Sequence, residues 1–270
     1  MQFNRRIIVR LGAALVTALV LGLFRYLSGA FDGGGSGDSP RPLPPVVAEQ
    51  TQRSATPSQS DASSGPVEPS PVSHGDFDYY VLVLSWSPTH CASDAGHGRD
   101  DDMQCRSGRP YGFVLHGLWP HNERGYPQAC ETDQPRDVSQ ANLDRMLKVS
   151  PSEDLVRHEW QKHGTCSGLS QDDFVTSAIA AFSSMRVPDT YKTPDDQIQT
   201  TPDDVRAAFL NVNTSLNGDD VAATCSRNDL AELWVCLDKS LRPRACSAEV
   251  RKRHCGARHV RMRAVRGDWP

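Results

Sequence analysis

Beyond about residue 76 the sequence predicts a domain of mixed α and β structure, and three observations predict it. Residues 79–86 are an unbroken apolar, aromatic and β-branched run closed by Ser87-Pro88, the pattern of a buried strand. Residues 150–163 instead open on a serine and a proline, carry charged groups and stop at Gly164, which is how helices are punctuated. The third observation is the set of 8 cysteines, all in this part of the chain, which can tie such elements together.

What precedes the domain differs in kind. The chain has 270 residues, 38% of them hydrophobic, and a formal net charge of −4, values ordinary for a soluble protein. Arg5, Arg6 and Arg10 flank an apolar run over residues 11–24, which has the length of a signal-peptide core and is short for a membrane span. Ser28 and Ala30 offer small residues for cleavage. Residues 1–30 are therefore read as a signal peptide or an uncleaved N-terminal anchor, which implies an extracytoplasmic domain, secreted, periplasmic or tethered to a membrane. Residues 31–75, rich in Gly, Ser, Pro, Thr and Gln, bury too little apolar surface to offset the entropy of ordering and are read as a disordered tether, either a stalk or a tolerated tail. Residues 76–270 are read as the folded domain. An even number of cysteines in an exported domain argues for disulfides, and no C-x-x-C pair points to a zinc ribbon or a thioredoxin-type site. Spacing alone leaves their pairing open.

Taken in order, residues 79–86 predict a central, well-buried strand. Residues 91–109 predict a loop, with Gly96, Gly98 and Gly108, and with Asp100, Asp101 and Asp102 read as a solvated acidic cluster rather than a cation site. Residues 111–120 predict a second strand with His116 near its end. A lone histidine there serves equally as a hydrogen-bonded core residue, but Gly117 and the Trp119-Pro120 pair suggest close backbone approach and a ring exposed at the strand terminus. Ser150 as cap and Pro151 at the first position start a helix that runs over residues 155–163. A second helix is expected over residues 172–185, with Phe174, Ile179 and Phe182 in the core, and a third starts at Thr201-Pro202 and continues over residues 205–210. Asn213-Thr214-Ser215 matches a glycosylation sequon. Residues 230–237 predict a last strand, after which the tail turns basic, either to attract a polyanion or as a solvated surface balancing the acidic half.

The candidate chemistry lies in His158-Glu159-Trp160-Gln161-Lys162-His163. On a helix Glu159, Lys162 and His163 fall within about 100° of one another, while Trp160 points inward. An imidazole that titrates near neutrality, a cation and a carboxylate on one face suit acid/base work on an anion. A zinc helix needs two histidines four apart on one face; His158 and His163 are five apart, about 140° around the helix.

Two segments together, Phe-Val-Leu-His-Gly-Leu-Trp-Pro over residues 113–120 and His-Glu-Trp-Gln-Lys-His-Gly-Thr-Cys over residues 158–166, resemble the two active-site segments of the ribonuclease T2 family of secreted, metal-independent endoribonucleases. Residues 84–91 and 230–238 are similar to its first and late strands, so the resemblance covers about residues 76–260. It implies an α+β fold, a central antiparallel sheet carrying the first segment, flanked by helices carrying the second and stabilised by disulfides. It implies His163 as the base that takes the ribose 2′-OH proton and His116 as the acid for the leaving 5′-oxygen. His158 would then contact the phosphate, with Glu159 and Lys162 steadying the transition state. It further implies the pairs Cys91–Cys105, Cys130–Cys166, Cys225–Cys255 and Cys236–Cys246.

The expected substrate is single-stranded RNA, cut without cofactor or metal to 2′,3′-cyclic phosphate and then 3′-phosphate ends, by a monomer; DNA, lacking the attacking hydroxyl, is excluded. Trp119 and Tyr126 are either stacking surfaces for a base or core packing. His121 stands where purine-reading members often have an acidic or amide residue, and Ser85 where plant members commonly have glutamine, so base preference stays open. The competing reading is a catalytically silent exported module of the same fold that binds RNA or another polyanion.

Overall fold

The computed structural model describes residues 75–93, 96 and 102–269. The leader, the tether, and Asp100 and Asp101 of the acidic cluster lie outside the described residues. Strand β1 (Tyr79–Trp86) has every residue buried except Ser85. It pairs antiparallel with β2 (Phe113–His121) on one side and with β5 (Asp229–Leu237) on the other. β4 (Val221–Ser226) pairs antiparallel with β5. The sheet continues through β6 (Val260–Met262) to β3 (Ile198–Thr200), β6 meeting β5 in parallel where Asp229 lies opposite Arg261.

Both faces of β1 are covered, which is why its sequence lacks alternation. Tyr80, Leu82, Leu84 and Trp86 face a large core with Val156, Trp160, Phe174 and Phe209 from the helices, and Tyr79, Val81 and Val83 face a smaller one with Cys236, Cys246 and Val250. Each such side chain removed from water contributes about 1.5 to 3 kcal/mol.

Helix α4 (Glu153–Lys162) is the element the site depends on. It starts two residues later than expected: Ser152 Oγ caps it, accepting from Leu155 N at 3.4 Å, whereas Ser150 is wholly buried and precedes the helix. Trp160 is inward, as its neighbours' polarity implies, with its Nε1–H donating to Pro135 O at 2.8 Å. Helices α5 (Gln171–Ser184) and α6 (Pro202–Val212) lie within a residue or two of the expected ones, capped by Ser170 and Thr201. Phe174 is buried, and Ile179 and Phe182 pack partly buried against the same core.

Several expectations are corrected. The segment after β1 is not all loop, because α1 (Ser87–Cys91) follows the strand directly and α2 (Asp102–Cys105) precedes β2, the two joined by a disulfide. α3 (Gln140–Met146), α7 (Ala248–Arg251), β3, β4 and β6 carry periodicities too short to read. Asn213 is 6% exposed; its Nδ2 donates to Arg186 O and Phe209 O, both at 2.9 Å, and its Oδ1 accepts from Arg186 N at 2.8 Å. A glycan would take one of the two Nδ2 hydrogens used here and would have to sit on a side chain buried in the fold, so the sequon is a structural asparagine. The four disulfides join Cys91–Cys105, Cys130–Cys166, Cys225–Cys255 and Cys236–Cys246, the pattern the resemblance implied.

Candidate active site

His116 is not at the end of its strand but in the middle of β2, and a bulge presents it. Val83 pairs with Gly117 and Leu84 with Leu115, so His116 is the extra residue with no partner across the ladder. An extra residue twists the strand locally and re-aims its side chain. The ring is thereby held between two carboxylates: Nδ1–H donates to Glu232 Oε1 at 2.6 Å, and Nε2 lies 3.5 Å from Glu159 Oε1. Burial alone would disfavour a charged ring, but the hydrogen bonds and negative charge of Glu159 and Glu232 outweigh it and push His116 up to about 10. Glu232 is burdened by the same burial, yet its bond to His116 and the charge there bring it below the ordinary carboxylate range.

His163 is in the opposite electrostatic situation. It is the C-cap of α4 (φ −116, ψ −45), its N–H still bonded to Glu159 O, and is 2% exposed. Its Nδ1 is buried without a hydrogen-bond partner, and its ring stacks on Trp119 with centroids 5.0 Å apart and planes 21° apart. Burial dominates, Lys162, His116 and His158 add to it, and only the charge of Glu159 opposes, so His163 falls to about 4. The two imidazoles therefore differ in protonation across the whole neutral range, His116 charged and His163 neutral.

Glu159 links them. Its Oε2 accepts from Trp119 Nε1 at 2.5 Å and its Oε1 faces His116. This approach of helix to strand requires Gly117, because a Cβ there would overlap the Glu159 carboxylate and Trp119 Nε1. Trp119 is thus neither plain core nor plain surface: it stacks on one histidine, stands edge-on to the other (5.2 Å, 83°) and anchors the carboxylate between them. The Cys130–Cys166 disulfide (Cα–Cα 5.0 Å) and Ala129 N donating to Lys162 O at 2.7 Å tie the loop after β2 to the end of α4.

A cleft of about 290 Å³ opens over this group, lined by His116, Trp119, Glu159, Lys162, His163 and exposed His158, with Tyr126, His121 and Trp234 beyond. All six predicted site residues are thus brought together. A second hollow of about 390 Å³ shares His116 and His158 with the first and adds Ser85, Gln104, Leu155 and Glu232. His163 lines only the first and Glu232 only the second, so His116 stands between two compartments.

Glu232 is not among the residues the sequence singles out. Its signal is a carboxylate in the otherwise apolar 230–237 run, half-buried with Trp234 Nε1 donating to its Oε2 at 2.8 Å. Buried charges are rarely kept without a partner. What the sequence does not show is that β5 lies two strands from His116, across β1.

Comparison with known proteins bears on the family and the fold. Residues 77–246 match the model of the ribonuclease T2 family. The chain is 51% identical over 100 residues to a ribonuclease of Aeromonas hydrophila (37% of this chain, 42% of that one). It is 30% identical over 186 residues to a probable ribonuclease of Haemophilus influenzae (64% and 62%). It therefore spans about half the length of these curated relatives. In structure it is similar to an RNase-related protein from Calystegia sepium (TM-score 0.54, 21% identity, 69% of this chain and 97% of that one). It is likewise similar to RNase NT in complex with 5′-AMP (TM-score 0.51, 21% identity, 72% and 98%). At these identities the structures speak to the fold, an α+β sheet flanked by helices.

Proposed function

The chain belongs to the ribonuclease T2 family, and from that premise we propose that it is an endoribonuclease acting on single-stranded RNA by transfer to the 2′-oxygen. The observation that carries the reading is the unequal pair of histidines in one cleft, His116 held charged by two carboxylates and His163 kept neutral by burial against Trp119. A neutral imidazole accepts a proton and a charged one donates it, so the roles divide without any prior ionisation change.

His163 removes the ribose 2′-OH proton as O2′ attacks phosphorus. The P–O5′ bond breaks, and His116 gives its Nε2 proton to the departing O5′. The products are a 2′,3′-cyclic phosphate and a 5′-hydroxyl. In a second turnover water replaces the leaving alcohol: His116, now neutral, takes the water proton, and His163 returns its own to O2′, leaving a 3′-phosphate. Lys162 supplies positive charge to the phosphorane oxygens, with exposed His158 contacting the phosphate from the rim. Glu159 positions His116 and Trp119. Because His116 faces both compartments, the nucleoside bearing the 2′-OH takes the His163 side and the leaving nucleoside takes the Glu232 side. DNA lacks the attacking group and resists. Export and possible membrane tethering through residues 1–30 belong to the same proposal, supported by the sequence of that segment.

The test is cleavage of homopolymeric RNAs in EDTA by the wild type and by His116→Ala and His163→Ala, with analysis of the ends. Cyclic-phosphate ends and a loss of about 10² to 10⁴ in rate for each variant are expected. Binding of RNA without cleavage by the wild type would instead establish the silent module, and rescue of an EDTA-inactivated enzyme by a divalent metal would overturn the metal-free route.

A further inference from the structure

The basic tail is not spread evenly over the surface. Arg261 and Arg263, on and just beyond β6, meet Arg227 from the β4–β5 hairpin around a polar cavity of about 180 Å³, with Ser93 and Ser226 on its wall and Asp229 at its base. Asp229 is 6% exposed and acts as a clamp: Oδ1 accepts from Arg261 Nε at 2.6 Å, and Oδ2 from Arg263 Nε at 3.0 Å and Nη2 at 2.9 Å. Both guanidiniums are thus oriented through their Nε edges, and the Nη groups of Arg261 take no part in the clamp. Three arginines line the cavity with one carboxylate among them, and among the described residues Arg227 has no acidic partner. The cavity therefore carries an excess of positive charge.

Arg227 adds an independent observation. The hairpin pairs Ser226 with Asp229, so its turn is Arg227-Asn228, and Arg227 occupies the left-handed region at φ 55. A long side chain there costs energy that glycine or asparagine would avoid, and strain of this kind gathers where a side chain must be presented. That turn places Arg227 on the wall of the same cavity as Arg261 and Arg263.

The cavity also has a definite place relative to the reaction. Asp229 precedes Glu232, the partner of His116, by three residues on β5, about 10 Å at the rise of a strand. Thr89 on its wall is followed in α1 by His90, which lines the second hollow. The order across the surface is therefore the His163 cleft, His116, the hollow for the leaving nucleoside, and then the arginines.

We propose that the cavity framed by Arg227, Arg261 and Arg263 is a phosphate site that holds the RNA strand on the 3′ side of the cut, beyond the leaving nucleotide. It rests on the ribonuclease reading above. Planar guanidinium forks suit phosphate oxygens, and pre-orientation by Asp229 lowers the entropy lost on binding. The site makes this enzyme favour chains that continue downstream over short fragments.

Three substrates separate the possibilities: a dinucleoside monophosphate, the same unit extended by several nucleotides at its 3′ end, and the same unit extended at its 5′ end. Arg227→Asn removes the charge in a residue that tolerates the left-handed backbone, and Arg263→Gln is the second variant, each checked by thermal melting. The wild type should cut the 3′-extended substrate with the highest kcat/KM. Both variants should lose most of that gain while cutting the dinucleotide as before. The slope of log kcat/KM against log salt on the 3′-extended substrate should become shallower by about 0.7 for each phosphate that the variant no longer neutralises. If the wild type cuts all three and Arg227→Asn keeps the 3′ gain, or loses equally on the 5′-extended substrate, the phosphate site falls and the ribonuclease reading stands. If the wild type cuts none of them, both fall.

Discussion

At the scale of single residues, two imidazoles of the same intrinsic chemistry are driven apart by what touches them. His116 has a carboxylate on each ring nitrogen, and His163 has an indole face and a buried, unpartnered Nδ1. The sign of the pH dependence follows. On the proposed roles the base must be neutral, so kcat/KM should rise as pH climbs through about 4; the acid must be charged, so it should fall as pH climbs through about 10. Glu232→Gln keeps the shape and an acceptor but removes the charge. It should move the alkaline limb down by about one to three pH units and leave the acid limb in place. An unmoved alkaline limb in the pH–rate profile would show that Glu232 only packs. On the proposed mechanism Glu232 acts on substrate through His116, as a positioning residue, whereas a merely structural role would alter both limbs together or neither.

At the scale of elements, the site is the meeting of a bulged strand and the last turn of a helix. The bulge at His116 turns its ring out of the ladder, and Gly117 leaves room for Glu159 to reach it. Gly117→Ala should displace Glu159 and Trp119 and cost on the order of 10²-fold in kcat/KM. Its far-ultraviolet circular dichroism should stay that of the wild type, since β2 keeps its other pairings; an active Gly117→Ala enzyme would mean the close approach is dispensable. The Cys130–Cys166 disulfide holds the loop after β2 against the end of α4, and with them His116 against His163. Cys130→Ser/Cys166→Ser should therefore lose activity at temperatures where circular dichroism is still native. Activity and ellipticity lost together on heating would remove the idea of local alignment. The helix was legible because its polar run and terminal glycine are local signals. The bulge was not, because it depends on how β1 and β2 pair, and the short β3 and β6 depend on partners distant in sequence.

At the scale of the whole molecule, burying a neutral histidine links stability to pH. His163 has a folded value lowered to about 4 against about 6.5 in an unfolded chain, so below 6.5 the unfolded state binds a proton that the folded state does not. Its contribution is complete above about 6.5, declines as pH falls toward 4, and levels off below. His116 has the opposite sign: its raised value gives stability that is complete below about 6.5 and is lost as pH rises through about 10. Melting temperatures of His163→Phe should accordingly fall less than those of the wild type between pH 6.5 and 4; an equal fall would assign the acid sensitivity to other groups.

By itself the sequence determined what short-range chemistry can determine. It placed a strand closed by Ser87-Pro88, a helix that ends just before Gly164, an inward Trp160, and two histidine-bearing segments whose joint pattern marked the family and its four disulfides. These signals are carried by neighbours along the chain, or by motifs that travel whole. Only the tertiary structure decided the rest: that a bulge presents His116, that Glu232 two strands away supports it, that Trp119 joins both histidines, that Asn213 is sealed in a turn, and that three arginines from two distant segments share one cavity. The physical reason is the same in each case. Desolvation, charge pairing and register depend on what lies across space, and no residue's own identity states which partner will arrive there.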